Sequence, residues 1–518
     1  MPGPMSRLLV ALVSALLSIV PRARADAPWW REAIAPGPRP VGFASRWLLD
    51  RSRTYRCEID GVRLYGDTKS PRPVLVNMWY PAEARPSATP MQHGDYLSIG
   101  ADEPSLRPLT DALVAYERRV LSGELAKKDP RKDPLLEEHL SRALALPTLA
   151  VRDATPSTGP FPLVIYHGGA GSSFEDNAAL CELLASHGFV VMGSAFMSAD
   201  GVDFNVDAFG GSVGDIEFLI RHAATLAFVN WSRIGLGGHS FGAQGALAFC
   251  ARPGTAIDAV VSLDTTQDYH TLADPRWDML RISVKDGLEH IKQRVLMVAA
   301  PYAVFDLADS MSHAARTYVT LPGLRHNDFI AQGLMRRVVN GDPESSRLAR
   351  QYGAVNSAVL SFFRGALLDD QAAVSALRAE SSNPPDGTGR RTEIVPAGAS
   401  AADPWNPNGG AIPTPRQIRR IFREQGAAPA VRALEIARTA DTEHPALNPN
   451  FAFAVLLEAS ASDRADDCLA LHRYYLSHGV DAAAHARALA DMMERIDPGS
   501  SFGAVCAALL GLLDPLPE

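Results

Sequence analysis

The stretch Gly238-His239-Ser240-Phe241-Gly242 sets a serine between two glycines, at the end of the apolar run Ile234-Gly235-Leu236 and directly before the helix-forming stretch 243–249. A serine hydroxyl is a weak nucleophile until a tight turn holds it out beside a base that can take its proton, and Gly-x-Ser-x-Gly between strand and helix is a sequence that builds such a turn. Gly238 and Gly242 carry no Cβ, so the backbone can bend sharply while strand and helix come close. With a helix starting just after Ser240, the backbone N–H of Phe241 points to where an oxyanion would form.

A nucleophilic serine needs three further parts. A second oxyanion donor is expected from His167-Gly168-Gly169, which follows the apolar strand-like run 163–166; Gly169 is the candidate, and His167 is expected to orient that loop without acting as a base. The base is expected to be His326, in Leu324-Arg325-His326-Asn327-Asp328-Phe329 after the Pro322-Gly323 turn. Of the 14 histidines, His187, His222, His290 and His313 fall on helix-like stretches away from strand ends, and His239 belongs to the serine turn. The acid that fixes the imidazole tautomer should lie between serine and histidine in chain order, which leaves Asp264, ending the run 259–263, and Asp306, after the run 294–299.

The elements that must position these residues alternate. Strand patterns at 163–166, 189–192, 233–236, 259–263, 294–299 and 317–321 are separated by helix patterns at 178–186, 215–228 and after Ser240, with a closing helix at 354–368. Such alternation predicts an α/β fold, a mostly parallel central sheet with helices on both faces. Ahead of it, 55–65 and 73–80 read as an antiparallel hairpin, and 105–149 reads as a charged helical insertion able to cap a site. The Pro-, Gly-, Ser- and Asn-rich stretch 381–413 reads as a linker. Thr414-Pro415-Arg416-Gln417 then has the pattern of a capped helix start and opens a C-terminal all-helical region, 414–518, that resembles a degenerate tetratricopeptide-like array.

At 518 residues the chain exceeds one compact core and suggests about two to four units. A net charge of -8 without a basic stripe argues against a nucleic-acid partner. Residues 1–25 read as a secretory signal: Arg7, an apolar run over 8–20, and Ala23-Arg24-Ala25 as the cleavage site, giving a mature start at Asp26 and a secreted or periplasmic location. That run is shorter than the about 20 residues a membrane span needs, so no transmembrane segment is expected after cleavage. Five cysteines are too few for a disulfide scaffold and none forms Cys-x-x-Cys, which speaks against zinc. Cys181 and Cys250 are expected to be buried, Cys468 and Cys506 to be a potential bridge, and Cys57 to be odd.

Gly-His-Ser-Phe-Gly at 238–242, Trp79-Tyr80-Pro81-Ala82, Leu184-Ala185-Ser186-His187-Gly188-Phe189 and His326-Asn327-Asp328-Phe329 together resemble the platelet-activating-factor acetylhydrolase and dienelactone-hydrolase-like branch of the α/β-hydrolases, over roughly residues 40–368. The resemblance implies a serine esterase with Ser240 as nucleophile, His326 as base, backbone donors at Phe241 and Gly169, and no metal or organic cofactor. It also favours Asp264, in its Leu263-Asp264 context, over Asp306. It does not reach the C-terminal region, and the insertion at 105–149 departs from it.

The expectation is thus an exported hydrolase of small-molecule or lipid carboxylic esters, with the domain 26–380 able to fold and act alone. The same triad would also cleave a peptide or a polyester. The rival of another class is a non-catalytic protein that binds a protein partner through its C-terminal helices.

Overall fold

The computed structural model describes residues 27–85, 87–126, 130–203, 209–270, 284, 287–379, 388–399, 412–449, 451–452, 454–455 and 464–478. The expected signal segment, the helix pattern at 482–496, Cys506 and much of the stretch 381–413 lie outside the described residues, as does the side chain of Cys468. Cys57, Cys181 and Cys250 are buried free thiols.

The strands, in chain order, are β1 (Val41–Thr54), β2 (Cys57–Ile59), β3 (Val62–Tyr65), β4 (Pro71–Pro81), β5 (Ala150–Arg152), β6 (Phe161–His167), β7 (Val190–Gly193), β8 (Val229–His239), β9 (Ala259–Leu263), β10 (Arg294–Ala299), β11 (Arg316–Thr320) and β12 (Arg391–Val395). All but β2 and β3 form one ten-stranded sheet in the order β12-β11-β10-β9-β8-β6-β7-β4-β1-β5. From β7 through β11 the strands run parallel, while β4 is antiparallel to both its neighbours and β12 to β11. Burial on two faces explains why the central strands read as unbroken apolar runs. In β6, Leu163 and Ile165 enter the core on one face, and Val164 and Tyr166 that on the other.

The helices are α1 (Arg107–Leu125), α2 (Leu136–Leu144), α3 (Ala178–Ser186), α4 (Phe209–Ala223), α5 (Phe241–Cys250), α6 (Asp306–Ser310), α7 (Ala331–Val339), α8 (Ser345–Leu367), α9 (Gln371–Ala379), α10 (Pro415–Gln425), α11 (Ala427–Ala440) and α12 (Ala465–Ser477). Strands α3 connects, β6 and β7, lie side by side, and α4 then carries the chain back across β6 to β8. The order therefore reverses between β6 and β8, and in an open α/β sheet the crevice at the carboxyl ends of such strands is where ligands bind. This strand order, parallel but for β4 and β12 and with helices between the strands, is the mostly parallel α/β architecture expected from the sequence.

The sheet begins differently from the expectation. The hairpin expected between 55–65 and 73–80 does not form: β4 pairs with β1 over its full length, and β2 and β3 pair with each other in a small separate hairpin. The long strand β1 went unread because its charged residues, among them Arg46, Asp50, Arg51 and Arg53, hide the alternation of an outer strand. The insertion is helical as expected, with α1 and α2 both packed on α7.

Two findings change the picture at the other end. Within the expected linker, β12 completes the sheet by pairing with β11 from Arg316↔Val395 to Thr320↔Arg391. The C-terminal helices are also seated on the body that carries the sheet. Val304 belongs to the same buried cluster as Ile418, Phe422 and Leu434, with Tyr302 packed against it. Helix α10 begins as its sequence indicates, the Thr414 side chain accepting from the Gln417 N–H at 3.3 Å and the Gln417 side chain from the Thr414 N–H at 2.9 Å. Expecting 26–380 to stand alone therefore overlooked a strand and an apolar contact.

Candidate active site

Ser240 leaves β8 with φ 53° and ψ -121° and becomes the cap of α5. A left-handed φ at a residue with a side chain costs of order 1–3 kcal/mol and persists where the surroundings enforce it. Here they do. The Ser240 N–H donates to the Leu263 carbonyl at 2.9 Å, and Gly238 and Gly242 close the turn so tightly that a Cβ on Gly238 would lie 2.4 Å from the Gly242 carbonyl carbon. A Cβ on Gly242 would come within 2.2 Å of the His167 carbonyl oxygen, so the turn also leans on the loop after β6. Gly169 lies in that loop, where a Cβ would sit 3.3 Å from Ser240 Cβ. Phe241, the first residue of α5, and Gly169 thus flank the serine.

His326 starts the short 3-10 turn His326–Phe329 and offers its Nδ1 to Asp264 Oδ2 at 2.7 Å. The carboxylate is nearly closed off, at 5% exposure, while the imidazole is 41% exposed. Asp264 itself has φ 45°, which turns its side chain out of the line of β9, and its N–H donates to the Val298 carbonyl at 2.7 Å. Its other oxygen, Oδ1, accepts the Tyr269 hydroxyl. Among the described residues no hydrogen bond joins Ser240 Oγ to His326, so proton transfer requires that pair to tighten, as is common when no substrate is present.

The two other histidines here are electrically silent. His239 is buried and pushed down to about 3 by burial and by His326, and its Nε2 donates to the His326 carbonyl at 3.1 Å. His167 is pushed down to about 4 by burial, stacks on Phe196 at 3.5 Å, and aims Nδ1 at the Gly168 carbonyl. Neutral and enclosed, it orients the loop as expected.

Asp306 has different company. It is ion-paired with Arg419 at 2.9 Å and Arg423 at 3.0 Å, both on α10. Its carboxylate is thus a docking point for the C-terminal helices, whereas the carboxylate on His326 is that of Asp264.

Several supporting residues carried no sequence signal. Tyr269 lies in a turn without periodicity. Gln244 on α5 donates to Thr265 Oγ1 at 3.0 Å and ties the serine helix to the acid segment. From the insertion, Glu124 accepts both bonds of the Asn327 side-chain amide at 2.9 Å, next to the histidine. Behind the Gly169 loop lie the buried carboxyls of Glu117, Glu175 and Asp176; burial pushes Glu175 up to about 8 and Asp176 up to about 6. Ser172 donates to Asp176 at 2.6 Å and Gln332 to Ser173 at 2.8 Å, which pins the loop to α7. Among the described residues no group of three or more His, Cys, Asp or Glu is arranged to hold a metal, and no helix is long and apolar enough to cross a membrane.

No protein-family model and no curated protein matches the chain. Among solved structures it is similar to a ferulic acid esterase from Streptomyces cinnamoneus, at 17% identity and a TM-score of 0.42, over 72% of this chain and 98% of that one.

Proposed function

We propose that the protein is a serine hydrolase of carboxylic esters that works through an acyl-enzyme. Ser240 attacks the ester carbonyl, His326 takes the serine proton and returns it to the leaving alcohol, and Asp264 holds the imidazole with Nε2 toward the serine. The N–H groups of Phe241 and Gly169 receive the oxyanion. A water activated by the same histidine then releases the acid.

One observation carries this reading: a histidine bonded through Nδ1 to a buried aspartate at 2.7 Å, on the same sheet edge as a serine forced into a left-handed turn. These three features support the reading of Ser240, His326 and Asp264 as nucleophile, base and orienter. The resemblance to platelet-activating-factor acetylhydrolase-like and dienelactone-hydrolase-like esterases favours a small-molecule or lipid ester as substrate, and the signal-like residues 1–25 favour a secreted or periplasmic enzyme.

Purified protein should hydrolyse p-nitrophenyl acetate and label with a fluorophosphonate at Ser240. Ser240→Ala should abolish labelling and leave only the residual rate of the oxyanion donors and binding. Parent-like turnover by Ser240→Ala would end the proposal.

A further inference from the structure

Resting on that reading of the triad, we infer that Tyr269 is a positioning residue for the catalytic acid, holding the Asp264 carboxylate in the one rotation that serves His326. A carboxylate can turn about its Cβ–Cγ bond, and one bond to an imidazole does not stop it. Two bonds at opposite oxygens do. Asp264 has Oδ2 on His326 Nδ1 and Oδ1 on the Tyr269 hydroxyl.

The direction of the second bond is fixed from behind. The phenol oxygen accepts the backbone N–H of Ala300 at 2.8 Å, directly after β10, so its single hydrogen is left to point at Asp264. The ring is held in turn. Its centroid lies 5.0 Å from that of Tyr302, in the segment between β10 and α6, and the same segment donates the Val304 and Phe305 N–H groups to the Asp268 carbonyl at 2.7 and 2.9 Å. Among the described residues the titratable groups that act on the hydroxyl are Asp264 and Tyr302. Burial and the Asp264 charge drive the Tyr269 phenol well above its ordinary range, so it stays a donor. Burial and the same charge raise the Asp268 carboxyl.

Tyr269→Phe keeps the ring and deletes only the donor, and a double-mutant cycle with Asp264→Ala separates positioning from packing. In the full-length protein acting on p-nitrophenyl acetate, Tyr269→Phe should lower kcat about tenfold, the scale of one hydrogen bond to a charged group, with KM little changed. In the Asp264→Ala background it should cost nothing further. Equal losses in both backgrounds would mean that the hydroxyl acts independently of Asp264 and would overturn the inference, as would a parent-like kcat for Tyr269→Phe. Should Tyr269→Phe not fold, 3-fluorotyrosine at 269, a stronger donor, should move the acid limb of the kcat/KM profile to lower pH; an unmoved limb overturns it too. An inactive Ser240→Ala beside a parent-like Tyr269→Phe would sink this inference alone, whereas an active Ser240→Ala would sink the hydrolase reading.

Discussion

Asp264 and Asp306 are both buried aspartates beyond the ends of adjacent strands, and their partners separate their roles. Asp264→Asn removes the charge that orients the imidazole and should lower turnover by about 10⁴, the scale known for a histidine left in the wrong tautomer, with little change in melting temperature. Asp306→Asn removes the counter-ion of Arg419, whose side chain is only 4% exposed, so it should cost about 3 kcal/mol of stability and leave turnover near that of the parent. Measuring kcat and thermal unfolding on both variants checks this; a crippled but fully stable Asp306→Asn would reverse the assignment. Ser240 and Asp264 were readable as candidates because each lies at the end of an apolar run, and His326 because it follows the turn after one, where the connectivity of a parallel sheet brings strand ends to one edge; between Asp264 and Asp306 the family resemblance decided. Tyr269 was not readable. Its value rests on Ala300, 31 residues away, and local periodicity carries no trace of such a contact.

At the scale of elements, helix α3 shows what burial does to a carboxyl. Glu182 lies wholly inside and accepts the Trp30 indole N–H at 2.9 Å, the Leu149 N–H at 2.8 Å and the Tyr96 hydroxyl, joining the N-terminal lead and the start of β5 to the helix. Burial pushes it up to about 7 from an ordinary 4.5. Because the native state keeps a proton that the unfolded chain has released, this contribution to stability is complete below about pH 4.5 and is lost as the pH rises through 7; its full size is about 3 kcal/mol. Glu175, up at about 8, acts in the same direction. The buried, neutral His167 and His239 act in the opposite direction below about pH 6.5, so the effect is read as a difference: the melting temperature of the parent relative to that of Glu182→Gln, which cannot ionise, should fall between pH 5 and pH 8. An unchanged slope in the variant would show that Glu182 already ionises freely in the folded protein. The apolar pattern of α3 was legible from the sequence, but the partners of its buried acid were not, since they come from segments 33 to 152 residues away.

For the molecule as a whole, the question is whether the C-terminal helices are a separate module or part of the body built on the sheet. The stretch 381–413 has the composition of a linker, yet Arg391–Val395 becomes a strand because β11 offers it an open edge. Nothing within those five residues, one of them glutamate and one arginine, announces it; the unpaired edge of another strand supplies the drive. Beyond it, Arg416 lies over the Tyr318 ring at 4.0 Å and pairs with Asp309 and Glu393, and Arg419 donates to the Val304 carbonyl at 3.1 Å. Cutting the chain after residue 380 would open the β11 edge, uncover Val304, which is 1% exposed, and strand the buried carboxylate of Asp306. The damage should also reach the chemistry, because the segment that bears Val304 braces Asp268 and Tyr269 beside the acid. The chain 26–380 should thus be poorly soluble, or unfold at markedly lower temperature with reduced kcat. Arg419→Met in the full-length protein tests the same contact without exposing an edge: it removes the 2.9 Å ion pair with Asp306 and should lower the melting temperature. A 26–380 chain as soluble, stable and active as the full-length protein would show instead that the helices are a passenger, free to serve a partner.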